Sequence, residues 1–328
     1  MRMNLTIHRR TLLALAAVWG AAAAHAQPAF PSRPIRIVVP NAAGGAADIT
    51  ARTVGQKIAG PLGQSVVIEN KPSAGGVVAG EQVARAEPDG HTLLLISSGT
   101  AVSAALFNTL PFDTLKDFVP VSLLATFDLA IVVREGGRFG TLAELLAYGR
   151  ANPGKLNIGT PQIGTTQNLA AELFKVTAGI DAQVVPFNGT PPVITALRGG
   201  EIDAMVDILG GLMPQIGSRA LRPLAVLGAQ RAPQLPDVPT VRDSGGPLAG
   251  FNVTSWNGLA VPARTPPAVV ERLSREVQSA LAQPDVKKRL LELNLQAQGS
   301  TPSQAAEHLA ADVRRWGDVI TRAKIARH

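Results

Sequence analysis

The sequence predicts an α/β protein built as two lobes, and three observations carry that prediction. Ile35 to Arg52 reads as strand, Gly-rich turn and helix. Leu156 to Val176 repeats the same design. Leu123 to Val133 and Trp256 to Val261 are apolar, strand-like runs placed to take the chain from one lobe into the other and back. In the opening unit Ile35, Ile37 and Val39 alternate onto one face of a β-branched run. Pro40 closes the strand, and Gly44 and Gly45 permit torsions that other residues avoid. The helix starts near Ala46, with Asp48 in its first turn at the positive end of the dipole. Such a turn aims unpaired N–H groups at whatever sits above the strand end, which suits an anion. A plain βα connection is the alternative.

A chain of 328 residues is comfortable for two cores. Apolar residues make up 46% and aromatics 4%, so those cores are aliphatic. The absence of cysteine excludes a disulfide scaffold, a thiolate metal site, a cysteine nucleophile and a lipid-modified N-terminal cysteine. Net charge is +7, of which Arg2, Arg9 and Arg10 supply three; the remainder is spread without a basic run or an aromatic platform, which argues against nucleic-acid binding. Arg9-Arg10 precede an apolar run from Leu12 to Ala24, and Ala24-His25-Ala26 fits a small-x-small cleavage site. Residues 1–26 therefore read as a signal peptide removed after Ala26, a membrane anchor being the alternative. The mature protein is expected outside the cytoplasm, by general or twin-arginine export.

Along the chain, Gly60-Pro61 stop the first helix, Ser65 to Glu69 is a strand, and Val77 to Ala86 a helix. Thr92 to Ile96 is a buried strand running into the turn Ser97-Ser98-Gly99-Thr100. Ligands of open α/β sheets sit beyond the carboxyl ends of strands, so this turn and the Gly44-Gly45 turn can face one site. Thr141 and Glu144 form a capping box. Gly159 to Thr166 is a polar turn, with Thr165 or Thr166 capping the next helix. Gln183 to Pro186 and Ile202 to Asp207 are strands, the latter ending on a carboxylate. A Pro- and Gly-rich connector precedes Trp256, and three helices finish the chain. The last begins at Pro302, is capped by Thr301 and Gln304, and carries Leu309, Val313, Trp316 and Ile320 as a core stripe.

Catalytic signatures are missing. There is no Gly-x-Gly pair, no P-loop and no Gly-x-Ser-x-Gly elbow. His91, His308 and His328, those left after the leader, lack metal-ligand spacing, and His91 reads as a solvated turn residue. No cofactor or metal is expected, and the reading is not an enzyme. Two lobes around a cleft lined by N–H groups and hydroxyls form a binding device that closes on a small anion.

The chain resembles the substrate-binding proteins of tripartite tricarboxylate transporters, the Bug receptors. The stretches that carry this are Pro31 to Pro40, Gly44 to Asp48, Val67 to Pro72 with Ala74 to Gly76, Pro88 to Leu94, Leu110 to Asp113 with Lys116 to Phe118, Pro153 to Asn157, Leu235 to Thr240, and Ala282 to Val286. Their order and spacing extend from about Phe30 to Lys324. The resemblance implies a type II periplasmic-binding-protein fold with the ligand cleft between the lobes: lobe one from 28–126 and 255–328, lobe two from 127–254. It implies a monomer that binds a small carboxylate and passes it to integral-membrane transporter subunits or to a sensor kinase. The carboxylate seat maps onto Asn41, Ala42, Ala43, Gly44, Gly45 and Ala46. The remaining pocket loops map onto Ser97, Ser98, Thr165, Thr166 and Gln167. Asp207 matches an acid at a strand end that takes an amino group or a bridging water, or else is a cap carboxylate. Asp48 reads as a first-turn helix acid.

This chain departs from the family pattern by putting Asn41-Ala42-Ala43 before the glycines and Ala46-Ala47 after them. Ser103, Asn168 and Phe187 stand where Asn, His and Tyr are frequent in the family. The changes remove polar groups and favour a less polar acid, aromatic or aliphatic. An exported enzyme with a triad assembled in space, and a docking protein that has lost ligand binding, are the other readings.

Overall fold

The computed structural model describes residues 30–322 and 324–327; the signal-peptide reading lies outside them. Strands β1 (Ile35–Val39), β2 (Val66–Asn70) and β3 (Thr92–Ser97) alternate with helices α1 (Ala46–Leu62), α2 (Val77–Ala84) and α3 (Ser98–Leu106). The long strand β4 (Phe118–Arg134) follows. After it come α4 (Leu142–Ala151), β5 (Leu156–Thr160), α5 (Thr166–Ala178), β6 (Ala182–Pro186), α6 (Thr190–Gly199), β7 (Ala204–Ile208), α7 (Leu209–Gly217) and β8 (Leu221–Val226). The chain ends with β9 (Thr254–Pro262), α8 (Pro267–Ala282), α9 (Pro284–Leu291), β10 (Leu295–Ala297) and α10 (Pro302–Arg322).

The fold is α/β and two-lobed, and β4 belongs to both lobes. Its first part pairs antiparallel with β9, from Phe118 opposite Pro262 to Asp128 opposite Thr254, and with β10. Its last part pairs antiparallel with β7, Leu129 opposite Ile208, and with β8. Strands β2, β1 and β3 are parallel and join through β9; β6, β5 and β7 are parallel and join through β7.

Both faces of the sheet are covered, so the strands read as near-continuous apolar runs. Ile35, Ile37 and Val39 pack with α1, α8 and α9, while Val38, Leu94 and Ile96 pack on the opposite face with α2, α3 and α10. That second face continues through Leu129, Ile131 and Val133 of β4 to α4 and α5, so one apolar layer runs across both lobes. Ala130 and Val132 face the other way, onto α6 and α7. Helix α8 buries Val270, Leu273, Val277 and Leu281 at helical spacing.

Several expectations change. The turn expected at Ser97 to Thr100 is the start of a helix from Ser98 to Leu106, because Ala101, Val102 and Leu106 share a buried face and Ser97 caps it. The first helix runs past Gly60-Pro61 to Leu62 and stops at Gly63, whose φ of 68° permits the left-handed cap. Helix α7 and strand β10 were not anticipated; both lie where the chain meets β4 and depend on that contact. Glu144 takes the N–H of Gly140 rather than closing a box on Thr141, although Thr141 does cap α4. On α10 the buried stripe uses Asp312, with Val313 only half-buried; the Trp256 indole donates to Asp312 at 2.9 Å. His91 is buried, not solvated: its Nε2 accepts from the Ser32 N–H at 3.1 Å, and its ring meets Phe30 edge-on.

The lobes also touch beside β4, where α7 begins. A Cβ on Gly210 would overlap the carbonyl oxygen of Leu293, a backbone atom with no freedom to swing aside. Gly210→Ala should therefore lower the unfolding free energy by about 1–3 kcal/mol, read as a reduced urea midpoint. An unchanged midpoint would show that this approach is loose.

Candidate functional site

Register places the strand ends. Because β1 and β3 are parallel neighbours, the β1–α1 and β3–α3 turns leave the sheet on one edge. The β5–α5, β6–α6 and β7–α7 turns leave the other half in the same way. Ser97 at the end of β3 lies opposite Asn257, which lies opposite Ala125 of β4; Ile208 at the end of β7 lies opposite Leu129. The two sets of turns therefore converge on β4 four residues apart, about 13 Å along a strand. They also touch. Ser255 Oγ, beside β4, is 3.5 Å from Thr166 Oγ1, and a Cβ on Gly164 would stand 3.2 Å from Phe107 and 3.5 Å from Gly75 Cα.

Each turn is held by its own polar network. In the β1–α1 turn, residues 41–45 are exposed and Ala46 half-buried. Asp48, 3% exposed, accepts the Gly44 N–H at 2.9 Å and Arg52 Nε at 3.0 Å. Arg52 also donates to Asn70, whose amide donates to the Asn41 carbonyl at 3.0 Å. Gly44 has φ of 83°, so the loop needs glycine there. The N–H of Gly44 and the charge of Arg52 are thus engaged within the protein. The first turn of α1 itself has no side-chain cap, which leaves its leading N–H groups without a side-chain acceptor; Ala46 is half-buried and Ala47 buried. Burial pushes the Asp48 pKa up, but hydrogen bonds from Arg52, Gly44 and Asn70 outweigh it and hold the carboxyl below 3.8.

The starts of α3 and α5 are capped, whereas those of α6 and α7, like that of α1, have no side-chain cap. Ser97 Oγ accepts the Gly99 N–H at 3.1 Å, and Thr100 Oγ1 accepts the Ser97 N–H at 3.0 Å. Ser98 is fully buried and its Oγ accepts the Trp256 N–H, which ties α3 to β9. Thr165, not Thr166, caps α5, accepting the Asn168 N–H at 3.3 Å while donating to the Gln162 carbonyl at 2.7 Å. Thr166 is 3% exposed.

Asp207 closes the site from below. It is 2% exposed, and its carboxylate accepts Gln167 Nε2 at 3.0 Å, Thr190 Oγ1 at 2.7 Å and the Ile208 N–H at 2.7 Å. Burial pushes its pKa up, and the three donors oppose the shift. Five helix starts, those of α1, α3, α5, α6 and α7, thus lie at the strand ends on either side of β4, and uncapped starts such as those of α1, α6 and α7 suit an anion.

Residues 50–325 match the family model described as tripartite tricarboxylate transporter family receptor. The chain belongs to that family. Among solved structures, the periplasmic binding protein BugD is 31% identical, with a TM-score of 0.83 over 91% of this chain and 100% of its own. MatC from Rhodopseudomonas palustris, solved with bound malate, is 35% identical at a TM-score of 0.81, over 89% of this chain and 100% of its own. A second R. palustris protein, solved with adipate, is 30% identical at 0.85, over 90% and 99%. A solute-binding receptor is what this family contains. Among the described residues no helix is long and apolar enough to cross a membrane, and no group of three His, Cys, Asp or Glu could hold a metal ion.

In this receptor two residues of the site escaped sequence reasoning. Thr190 carries no role in the sequence reading; its signal is a hydroxyl at a helix start, just ahead of Pro191-Pro192. Asn70 belonged to a recognised segment but carried no role until the Arg52 and Asn41 contacts placed it.

Because the Asp48 pKa is depressed in the folded state, its stabilisation is present above the unfolded value and lost as pH falls through the folded one. Asp48→Asn should cost about 1 kcal/mol at neutral pH, Arg52 being half-exposed and screened. In urea titrations across pH, the gap to wild type should close as pH falls below 3.8. A gap that stays constant would mean that the Asp48 charge contributes nothing.

Proposed function

We propose that this chain is a periplasmic receptor that binds a small carboxylate between lobes 28–126 with 255–328 and 127–254. It delivers that ligand to a tripartite tricarboxylate-type membrane transporter or to a sensor. The observation that carries the proposal is the uncapped α1 start, on the same edge of the sheet as the β3–α3 turn, with Ser255 beside β4 meeting Thr166 of the other lobe. Its support is chemical. Backbone donors at a helix start favour an anion without a paired arginine, and malate and adipate are the ligands bound by two relatives.

The carboxylate sits on the Asn41 to Ala46 turn. Ser97 and Gln167 border it, and Ser98, Thr165 and Thr166 hold the flanking helix starts in place. Alanines at 46 and 47 leave backbone groups alone to meet the acid there. The lobes close on the ligand about β4, and closure is what a membrane partner reads. Residues 1–26 export the chain and are cleaved after Ala26.

The test is thermal melting of the chain from Gln27 with aliphatic and aromatic carboxylates and their neutral amides, after unfolding and refolding to strip any retained ligand. A true ligand at a hundred times its dissociation constant adds about 2.7 kcal/mol, a shift of a few degrees. Stabilisation by acids and not by amides is the expected result. Equal stabilisation by amides would overturn the anion seat, and chemical conversion of a bound acid would favour an enzyme. Silence to every compound would favour the docking protein.

A further inference from the structure

The carboxylate of Asp207 raises a question that the anion seat does not answer: why a receptor for acids buries an unpaired acid at its site. No cation pairs with Asp207 among the described residues; its partners are Gln167, Thr190 and the Ile208 N–H. All three donate. A carboxylate offers only acceptors, so the Gln167 amide must turn its nitrogen toward Asp207. The amide oxygen then lies on the side away from it. Thr190 has a single hydroxyl hydrogen, which goes to Asp207 and leaves acceptor lone pairs only. Gln167 and Thr190 are both half-buried at the carboxyl edge of the second lobe's strands, while Asp207 is 2% exposed beneath them.

We propose that Asp207 is a positioning residue that fixes Gln167 and Thr190 as hydrogen-bond acceptors. The receptor then takes a monocarboxylate whose far end carries a hydrogen-bond donor, a hydroxyl or an amine. This rests on the receptor reading above. The two ends of the ligand meet opposite chemistry. The α1 start presents N–H donors to the carboxylate, and the Gln167–Thr190 wall presents oxygens to the other end. A second carboxylate there would meet two acceptor oxygens with an uncompensated negative charge behind them. A bare methyl end would leave both acceptors unpaired when the lobes close. A hydroxyl or an ammonium satisfies them, and an ammonium also faces the Asp207 charge. The malate and adipate relatives bind dicarboxylates, so this places the present chain apart from them in ligand choice.

Calorimetric titration at neutral pH of two matched series tests the proposal: 5-hydroxypentanoate, 5-aminopentanoate, pentanoate and glutarate; then 4-hydroxybenzoate, 4-aminobenzoate, benzoate and terephthalate. In at least one series the donor-bearing acids should bind tenfold or more tightly than both the plain acid and the diacid. The hydroxy and amino arms decide which donor is preferred. Asp207→Asn, which frees the Gln167 amide to reverse, should reduce that discrimination below threefold while some acid binding through the α1 start persists. Thr190→Val removes one acceptor while Asp207 keeps its Gln167 and Ile208 donors, and should do the same, so the proposal stays testable if the Asp207 variant does not fold. A diacid that binds as tightly as its donor-bearing partner would overturn the proposal, as would undiminished discrimination in a folded Asp207 or Thr190 variant. Failure of every acid to bind folded wild-type protein would overturn the receptor reading itself.

Discussion

Strand β4 is the constraint on which the architecture rests. Its 17 residues run unbroken from Phe118 to Arg134 and hydrogen-bond to four other strands, β9 and β10 in one lobe, β7 and β8 in the other. A strand paired on both edges cannot slip by one residue without turning every buried side chain to the wrong face. The register of the ends of β3 and β7 along β4 is therefore fixed. The apolar layer that continues past Leu129, Ile131 and Val133 gives both lobes a share in one core. The turns that form the candidate site inherit their spacing from this shared element.

A second theme is how few side chains the site leaves unspent. Asp48, Arg52 and Asn70 satisfy one another and the Asn41–Gly44 backbone. Ser97, Ser98 and Thr165 are committed to helix starts and to β9. Asp207 accepts from three donors. Such pre-ordering lowers the cost of fixing the site when a ligand arrives. It also leaves, for any ligand, the leading N–H groups of uncapped helix starts and the atoms of Gln167 and Thr190 not bonded to Asp207. Ser97, Ser98 and Thr165, which stand out in the sequence as hydroxyls at strand ends, hold neighbouring backbone.

Much of the fold was legible from periodicity. Alternating Ile35, Ile37 and Val39, the repeated strand–turn–helix unit at Leu156, and the Thr301–Gln304 cap all rest on local geometry, which short stretches of chain encode. The missed elements share one cause. Helix α7 contains Gly210, Gly211 and Pro214, and β10 is three residues long. Neither has a local pattern strong enough to stand alone, and both exist because they lie against β4 or the opposite lobe. His91 failed as a solvated turn residue for the same reason, since Phe30 and Ser32 reach it from 59 or more positions away.

The sequence by itself determined the α/β class, the opening Gly-rich turn, the absence of cysteine chemistry and the family. These depend on residue type and on spacing within a few dozen positions. Only the tertiary structure decided which polar groups are spent and which remain. Arg52 is neutralised by Asp48, Ser98 is turned inward by Trp256, and Asp207 is buried under Gln167 and Thr190, 40 and 17 positions away. A hydrogen bond between distant segments consumes a donor without leaving a trace in either segment's own pattern. The character of the site therefore emerges only when the strands are registered on β4.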